Sequence, residues 1–184
     1  MGTLCFAMSM SLDGYVTDPD GGIDFSEPDE VLHRYYNDRA RRTGAFLFGR
    51  GLYDVMEEFW TDPARADGGE VEAEFARHYV ATPRVVFSDS LTSVPPGCRL
   101  VRRADTLAEV ARLKEEVDGP LDVGGAGLAA SVLDLIDEFH PTVVPAVLGG
   151  GTPYLPAGAD LRLRLVEQRA FDNGSVVLRY LRAR

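Results

Sequence analysis

The sequence predicts an α/β protein of three layers, in which a mostly parallel sheet lies between helices and an antiparallel hairpin ends the chain. Two observations support this prediction. Short apolar segments alternate with segments of helical periodicity through most of the chain, which is typical of parallel strands joined by crossover helices. Near the C-terminus, two alternating segments flank Asp172-Asn173-Gly174, and an Asn-Gly pair in such a position is typical of a hairpin turn.

The N-terminal half supplies three of the predicted strands. Residues 3–10, 45–49 and 83–88 are short and largely apolar, as strands buried on both faces are. Apolar residues at helical spacing follow between them, and one helix begins directly where the second strand ends. The predicted helices cover residues 28–42, a segment from Arg50 onward and residues 71–80, and residues 61–69 are predicted to form a loop.

The C-terminal half continues the alternation. A helix is predicted over 106–117, where Thr106 and Glu109 have the spacing of a capping box. Residues 139–148 form a further predicted strand, and its two prolines indicate an irregular or partly edge position, because proline cannot donate to a strand ladder. The other predicted elements are a strand over 98–102, a strand ending near Gly124, a helix over 128–136 and hairpin strands over 162–171 and 175–181.

The composition excludes several classes of function. The 184 residues predict one domain over positions 1–184, and no apolar stretch approaches the roughly 20 residues that span a bilayer. A net charge of −10 with Lys114 as the single lysine argues against a nucleic-acid surface. Cys5 and Cys98 are too few and too far apart to predict a metal site or a disulfide framework, and a reducing cytoplasmic setting is expected.

Two glycine-containing corners carry the first functional signal. Gly124-Gly125-Ala126-Gly127 and Gly49-Arg50-Gly51 each join a predicted strand to a predicted helix. Ligands of parallel sheets gather at such corners, where glycine lets a phosphate approach the backbone and the helix dipole favours an anion. A tight connection is the structural alternative for each corner, and a solvated helix-start arginine is the alternative for Arg50.

Five segments of the chain form a recognisable set in their order. They are Ser9-Met10-Ser11-Leu12-Asp13-Gly14-Tyr15-Val16, Leu47-Phe48-Gly49-Arg50-Gly51-Leu52-Tyr53, Val86-Phe87-Ser88, Gly124-Gly125-Ala126-Gly127 and Val147-Leu148-Gly149-Gly150-Gly151-Thr152-Pro153. Together, in this order, they resemble the dihydrofolate reductase superfamily. Specifically, the chain is similar to a stand-alone member of the branch that includes the C-terminal reductase domain of bifunctional riboflavin-biosynthesis enzymes. The resemblance covers nearly the whole chain and implies a dihydrofolate reductase-like sandwich.

This resemblance implies NADPH as the hydride donor. It places Arg50 at a phosphate of the cofactor, Ser88 near the adenosine 2′-phosphate, and a cis peptide at Gly124-Gly125. Leu52 departs from the threonine that the family usually has, so a hydroxyl contact is lost there. The positions expected to contact the cofactor are Ala7, Tyr15, Val16, Gly49, Arg50, Gly51, Leu52, Phe87, Ser88, Val123, Gly124, Gly125, Ala126, Gly127, Leu128 and Ala129.

The proton donor is the open part of the site. The family's spacing points to His33 on the first predicted helix, with Asp29 and Glu30 within one turn of it. Histidine titrates in the range that general acid catalysis needs, although a lone histidine on a helix is more often structural or solvated. Asp13 is interpreted as a turn residue, because Asp-Gly favours a bend. His78 and His140 have no partners in the sequence that suggest catalysis.

The leading hypothesis is an NADPH-dependent reductase of a small heteroaromatic or ribosylamino-pyrimidine-like substrate, similar to 5-amino-6-(5-phosphoribosylamino)uracil reductase. Dihydrofolate reduction and a non-catalytic nucleotide-binding protein on the same fold are the alternatives. A phosphorylated substrate would need further arginines in the pocket, for which Arg34, Arg41 and Arg84 are the candidates. The resemblance also implies a homodimer.

Overall fold

Eight strands form one sheet in the computed structural model, which describes residues 2–66 and 69–183. The strands are β1 (Thr3–Met10), β2 (Ala45–Gly49), β3 (Arg84–Phe87), β4 (Cys98–Val101), β5 (Pro120–Gly124), β6 (Glu138–Val143), β7 (Leu163–Ala170) and β8 (Val176–Arg182). Their spatial order is β4-β3-β2-β5-β1-β6-β8-β7. The first six strands in this order are parallel, and the β7–β8 hairpin pairs antiparallel to β6. The predicted fold class is therefore confirmed.

Helices cover both faces of the sheet. They are α1 (Glu30–Ala40), α2 (Arg50–Trp60), α3 (Pro63–Ala66), α4 (Glu70–Ala81), α5 (Thr106–Glu116) and α6 (Ala126–Ser131). On one face α1, α2 and α4 pack over Phe46 and Phe48 of β2. On the other face α5 and α6 pack over Leu47 and Val123, and both of these side chains are essentially inaccessible to solvent. Burying each such side chain contributes about 1.5–3 kcal/mol, so the apolar strands hold the layers together.

Strand β6 corrects the prediction made from its prolines. It lies inside the sheet, between β1 and β8, and it ends at Val143, before Pro145. Pro141 is paired with Met8 on the parallel side. On the antiparallel side the β8 pairs fall at residues 138–139 and 142–143, so the ladder has a gap where the proline would have to donate.

Three helix predictions also need correction. The capping box at Thr106 does not form: Asp105 is the N-cap residue of α5, without a side-chain cap, because the Glu109 carboxylate instead pairs with Arg99 and Arg112. The helix after Gly125 is shorter than predicted and ends in a 3-10 turn over Leu133–Leu135. The predicted loop 61–69 contains the short helix α3, and its positions 67–68 lie outside the described residues.

Candidate active site

A cavity of about 360 Å³ opens between the sheet and helices α1, α2 and α4. Its floor is built by β1, β2, β5 and β6, and two small residues make room for it. Ala7 is paired with His140, and Gly124 is paired with Phe48. A β-carbon at Gly124 would lie 2.6 Å from Leu52 Cδ2 and 2.8 Å from the Phe48 ring, so the packing around the cavity requires glycine at this position.

Aromatic side chains form one wall. Trp60 lies between Phe59 and Phe75, with ring centroids 4.7 and 4.4 Å apart. The His33 ring packs edge-on against both Trp60 and Phe75, with centroids 5.7 Å apart in each case. Phe59, Trp60 and Phe75 all line the cavity, and such an aromatic wall suits a flat, apolar ligand.

The hydrogen-bond network around His33 fixes the tautomer of its ring. The Asn37 amide nitrogen donates to Val71 O at 2.9 Å and to Glu74 Oε2 at 2.8 Å. Both partners are acceptors. Val71 O is a backbone carbonyl oxygen, and Glu74 is a carboxylate because the hydrogen bonds from Asn37 and Arg41 hold its pKa below the ordinary value. The Asn37 oxygen must therefore face His33 Nδ1, 3.1 Å away, and Nδ1 must be the donor. This arrangement leaves Nε2 as the nitrogen that can exchange a proton with a ligand.

The carboxylates near His33 in sequence have other roles. Asp29 caps α1 by accepting the Leu32 N–H at 2.8 Å, and Glu30 pairs with Arg34 on the helix surface. Asp13 accepts the N–H groups of Leu148 and Gly149, at 3.1 and 2.7 Å. Its interpretation as a turn residue rather than an acid agrees with these contacts, which tie the loop after β1 to the glycine loop after β6.

An ion pair that sequence reasoning missed lies on the floor of the cavity. Arg39 Nη2 donates to Asp122 Oδ1 at 2.8 Å, and Thr43 Oγ1 donates to Asp122 Oδ2 at 2.9 Å. Both charged side chains are largely buried, with 19% and 14% of their surface exposed. The sequence held a signal for Asp122, because it is a single carboxylate inside the apolar run Leu121-Asp122-Val123. Arg39 had no such signal, since it is one of two arginines on α1.

A second buried network adjoins this pair. Glu138 accepts two hydrogen bonds from Arg179, at 2.8 and 2.9 Å, and lies 2.7 Å from His140 Nε2. The hydrogen bonds from Arg179 and His140 lower the pKa of Glu138 although burial opposes the change. Burial, assisted by the charge of Arg39, lowers the pKa of His140. The imidazole is therefore neutral at pH 7 and donates from Nε2, and its Nδ1 is buried without a hydrogen-bond partner in the described structure.

Metal ligation does not explain this network well. Cys5, Glu138 and His140 offer donor atoms within 4.8 Å of one another. However, burial raises the pKa of the Cys5 thiol to about 12, so the sulfur is not a thiolate. The Glu138 carboxylate is already neutralised by Arg179. Glu138 and His140 therefore fit a hydrogen-bonded ion-pair network with Arg179 better than a cation site, and the Cys5 thiol donates to Thr3 O instead.

The two glycine corners lie side by side. A side chain on Gly125 would begin 3.9 Å from Gly49 N, and one on Gly49 would begin 3.5 Å from Leu128 Cβ. Gly125 has a φ of +97°, which favours glycine, and its N–H donates to Met8 Sδ at 3.2 Å. The Gly124–Gly125 peptide is trans, so the cis peptide implied by the resemblance is not found; the positive φ of Gly125 turns the chain instead.

Arg50 belongs to a polar cluster at the end of β3. Its Nη1 donates to Ser90 Oγ at 3.0 Å, and Nε pairs with Asp54 at 2.6 Å. Ser88 lies 3.2 Å from Ser90 Oγ, but Ser88 is only 1% exposed and accepts the N–H groups of Ser90 and Leu91. The exposed hydroxyl beside Arg50 is therefore that of Ser90, a residue that the sequence did not single out.

The remaining predicted positions lie in four different environments. Ala7, Val16, Leu52, Val123 and Gly124 line the cavity. Glycines 51 and 127 border open space at the starts of α2 and α6, where Ala126 is the first helical residue. The side chains of Phe87, Leu128 and Ala129 pack in the hydrophobic core, and Tyr15 forms a bridge with Pro153 outside the cavity.

The arginines expected at a substrate phosphate lie elsewhere. Arg34 pairs with Glu30 and Glu70, and Arg41 pairs with Asp38 and Glu74. Arg84 is buried against Glu57 and Cys98. Among the described residues that line the cavity, Arg39 is the one arginine.

A mostly parallel sheet with an antiparallel C-terminal hairpin, helices on both faces and a cavity beside two glycine corners defines a dihydrofolate reductase-like protein. The chain belongs to the RibD C-terminal domain family, whose model matches residues 3–177. It is 28% identical over 181 residues to the uncharacterized protein YwjB of Bacillus subtilis strain 168, and the match covers 96% of this chain and 95% of YwjB.

Two solved structures share the fold. The dihydrofolate reductase of Enterococcus faecalis, solved with NADP(H), has a TM-score of 0.71 at 11% identity, covering 100% of this chain and 98% of that chain. The diaminohydroxyphosphoribosylaminopyrimidine deaminase/5-amino-6-(5-phosphoribosylamino)uracil reductase of Thermotoga maritima has a TM-score of 0.69 at 16% identity. That match covers 99% of this chain and 57% of the Thermotoga protein. None of the helices within the described residues is long and apolar enough to cross a membrane.

Proposed function

We propose that the protein is an NADPH-dependent reductase that transfers a hydride to a small planar heterocycle in the cavity. The observation that carries the proposal is the placement of the cavity directly beside the two adjoining glycine corners. Gly124 belongs to both features, since it lines the cavity and begins the second corner. A ligand held at the corners would therefore have its reactive end in the cavity.

The residues present fit the cofactor. Arg50 and Ser90 provide a guanidinium and a hydroxyl for a phosphate, and charge-assisted contacts of this kind are among the strongest hydrogen bonds in proteins. The corners of β2 and β5 add backbone N–H groups, and the glycines at 51 and 127 leave open space beside them. When bound, the cofactor supplies the hydride. Membership of the RibD C-terminal domain family and the NADP(H) complex of a protein with the same fold support this assignment.

His33 is the residue that supplies the proton in this proposal. It lies in the cavity wall, and Asn37 holds its ring with Nδ1 as a donor, so a proton at Nε2 is the one that can reach a substrate. Folate reduction is less well supported, because Asp29 and Glu30 are engaged at the start of α1 and on its surface. A non-catalytic nucleotide-binding protein remains the second candidate, and Leu52 in place of threonine favours it.

Binding of NADPH to the purified protein tests the proposal, by nucleotide fluorescence or calorimetry. We expect micromolar affinity, and a loss of about 10-fold or more in Arg50→Ala, because a charged hydrogen bond to phosphate contributes about 1.5–3 kcal/mol. Arg112→Ala is the matched control, since Arg112 pairs with Glu109 and Glu116 on α5. A folded sample that binds neither NADPH nor NADH in the micromolar range would overturn the proposal.

A further inference from the structure

The charges around the cavity are unfavourable for an anionic substrate. The described lining contains one guanidinium, that of Arg39, and three carboxylates, those of Glu27, Glu72 and Asp122. His140 adds no positive charge, because it is buried and neutral beside Arg39. Even with His33 counted as a cation, as its proposed donor role requires, the described lining carries three negative and two positive charges.

The rim of the cavity does not reverse this balance. A shallow depression beside His33 is lined by Glu30, Arg34, Glu70 and Glu72. Arg34 lies 2.7 Å from Glu30 and 3.6 Å from Glu70, so two carboxylates share one guanidinium. Arg65 lies over the outer face of Phe59, 3.7 Å from the ring centroid, and its Nη1 is 3.4 Å from Glu72. Each cation near the opening already has a carboxylate partner.

A phosphate group brings a charge near −2 and needs arginine, lysine or backbone N–H donors for its oxygens. The cavity offers one guanidinium, and Asp122 already neutralises it. A phosphate would therefore have to displace Asp122 or lie among Glu27 and Glu72. Neither arrangement is favourable, because both leave like charges close together in a site partly shielded from water.

Arg39 is suited to a neutral acceptor instead. In the described structure, Nη2 to Asp122 is the one hydrogen bond of its guanidinium, which has five N–H donors in a plane. Asp122 is held in turn by Thr43, so the guanidinium has a fixed orientation. A carbonyl oxygen or ring nitrogen can accept from the remaining N–H groups without bringing net charge to the floor. The aromatic wall of Phe59, Trp60 and Phe75 favours a flat ring above it.

We propose that the substrate is a planar, carbonyl-bearing heterocycle without a phosphate group, oriented by a hydrogen bond from Arg39. This inference rests on the proposed reductase function, and it narrows the substrate class of the same cavity. It separates this chain from an enzyme for phosphoribosyl substrates, although the fold is shared with one.

Two pairs of probes that differ only in phosphate test the inference: riboflavin against riboflavin 5′-phosphate, followed by flavin fluorescence, and uridine against uridine 5′-phosphate, followed by calorimetry. The affinity for NADPH is determined on the same protein sample as the affinities for both pairs of probes. We expect the unphosphorylated member to bind about 10-fold more tightly in at least one pair. Equal or tighter binding of the phosphorylated members, or binding of none of the four probes, would overturn the inference.

Variants test separately the exclusion of phosphate by the cavity carboxylates and the hydrogen bond from Arg39. Glu72→Gln and Glu27→Gln together should raise the affinity for the phosphorylated probe severalfold and leave that for its partner unchanged, because both side chains face the cavity and neither is buried. Arg39→Met should weaken binding of the unphosphorylated probe. Arg41→Met, at the C-cap residue of α1 and outside the cavity lining, should not. If Arg39→Met fails to fold, the double glutamine variant still tests whether the carboxylates of the cavity disfavour a phosphorylated ligand.

The outcomes for the cofactor and for the substrate class can be told apart. A protein that binds NADPH but favours the phosphorylated probes contradicts the substrate class alone. A protein that binds neither nicotinamide cofactor but favours riboflavin or uridine contradicts the reductase function and leaves the ligand class of the cavity standing.

Discussion

Asp122 is the centre of a buried polar cluster on the floor of the cavity. Its carboxylate accepts a hydrogen bond from the Arg39 guanidinium and another from the Thr43 hydroxyl. Such a pair adds little to stability relative to apolar residues, but removing one partner leaves the other charge buried and alone. A substitution at Asp122 is therefore expected to lower the stability of the fold, whether or not the residue takes part in substrate binding.

We expect Asp122→Ala to lower the free energy of unfolding by about 3 kcal/mol, because it strands the Arg39 guanidinium. Chemical denaturation followed by circular dichroism measures the change. Asp38→Ala is the control: its partner Arg41 is exposed, and surface pairs contribute about 0–1 kcal/mol. Similar losses in the two variants would contradict the buried-pair interpretation.

His33 provides the second prediction at the scale of the residue. Replacement by Phe keeps a ring against Trp60 and Phe75 but removes Nε2, the nitrogen that would exchange the proton. Stopped-flow oxidation of NADPH by a panel of pteridines, pyrimidines and quinones should slow by about 100-fold or more, with NADPH affinity unchanged. His78→Phe, outside the cavity beside Glu74, should react normally. A His33→Phe protein with undiminished turnover would rule out His33 as the donor.

At the scale of the element, β6 carries two groups whose ionisation depends on the fold. The pKa of His140 is lowered from 6.5 and that of Glu138 from 4.5. Both shifts mean that the unfolded chain binds protons more readily than the folded one. The stability they contribute is therefore present at neutral pH and is lost on acidification.

We expect the free energy of unfolding to begin to fall below pH 6.5 as His140 protonates in the unfolded state, and to fall further below about pH 4.5 for Glu138. Urea denaturation at a series of pH values measures the slope. His140→Gln should flatten the slope in the first window and leave the second. A stability that rises between pH 7 and pH 5 would have the wrong sign for this interpretation.

The strands of the sheet could be predicted from sequence because each is a short apolar run buried on both faces, as β2 and β3 are. The position of β6 within the sheet could not be predicted from sequence. A proline excludes a strand from a ladder only where the neighbouring strand needs its N–H as a donor, and the register of the two strands decides whether it does. The capping box failed for a similar reason: Glu109 is drawn to Arg99, which lies on another element. Local sequence patterns predict local structure, whereas the sheet position of a strand and the partner of a charged side chain depend on residues that are distant in sequence.

The same limit applies to the site. Glycine corners are local signals, and the structure brings both of them together. The floor of the cavity combines Arg39 of α1 with Asp122 of β5, which are 83 residues apart. Glu138 and Arg179 are likewise far apart in sequence, so the sequence indicated where a cofactor could lie but not which groups face the substrate.

At the scale of the whole molecule, the sheet ends in an exposed strand. β7 has neighbours on one side only, in β8, and its side chains are almost all exposed, including Leu165 at 45% and Val166 at 37%. Long exposed edges with apolar side chains invite pairing with another chain. This feature agrees with the homodimer that the family resemblance implies, which stays a prediction.

Size-exclusion chromatography with light scattering should give the mass of two chains, about twice 20.1 kDa. Val166→Lys on the edge strand should shift the protein toward monomer, because a charged side chain disfavours pairing at an exposed edge. Arg103→Ala, away from β7, should not change the mass. A single-chain mass at high protein concentration would contradict the dimer.

The hydrogen bond from Gly125 N–H to Met8 Sδ has a thermodynamic consequence for anion binding at the corner. Thioether sulfur is a weak acceptor, so exchanging it for a charged oxygen gains a stronger bond than the one given up. The Gly125 N–H thus has a hydrogen-bond partner, so it does not carry the cost of an unsatisfied donor in a partly buried corner. That partner is a weaker acceptor than an oxygen and is easier to displace. An anion bound at this corner would replace the weak sulfur acceptor, and a share of its binding energy would come from that replacement.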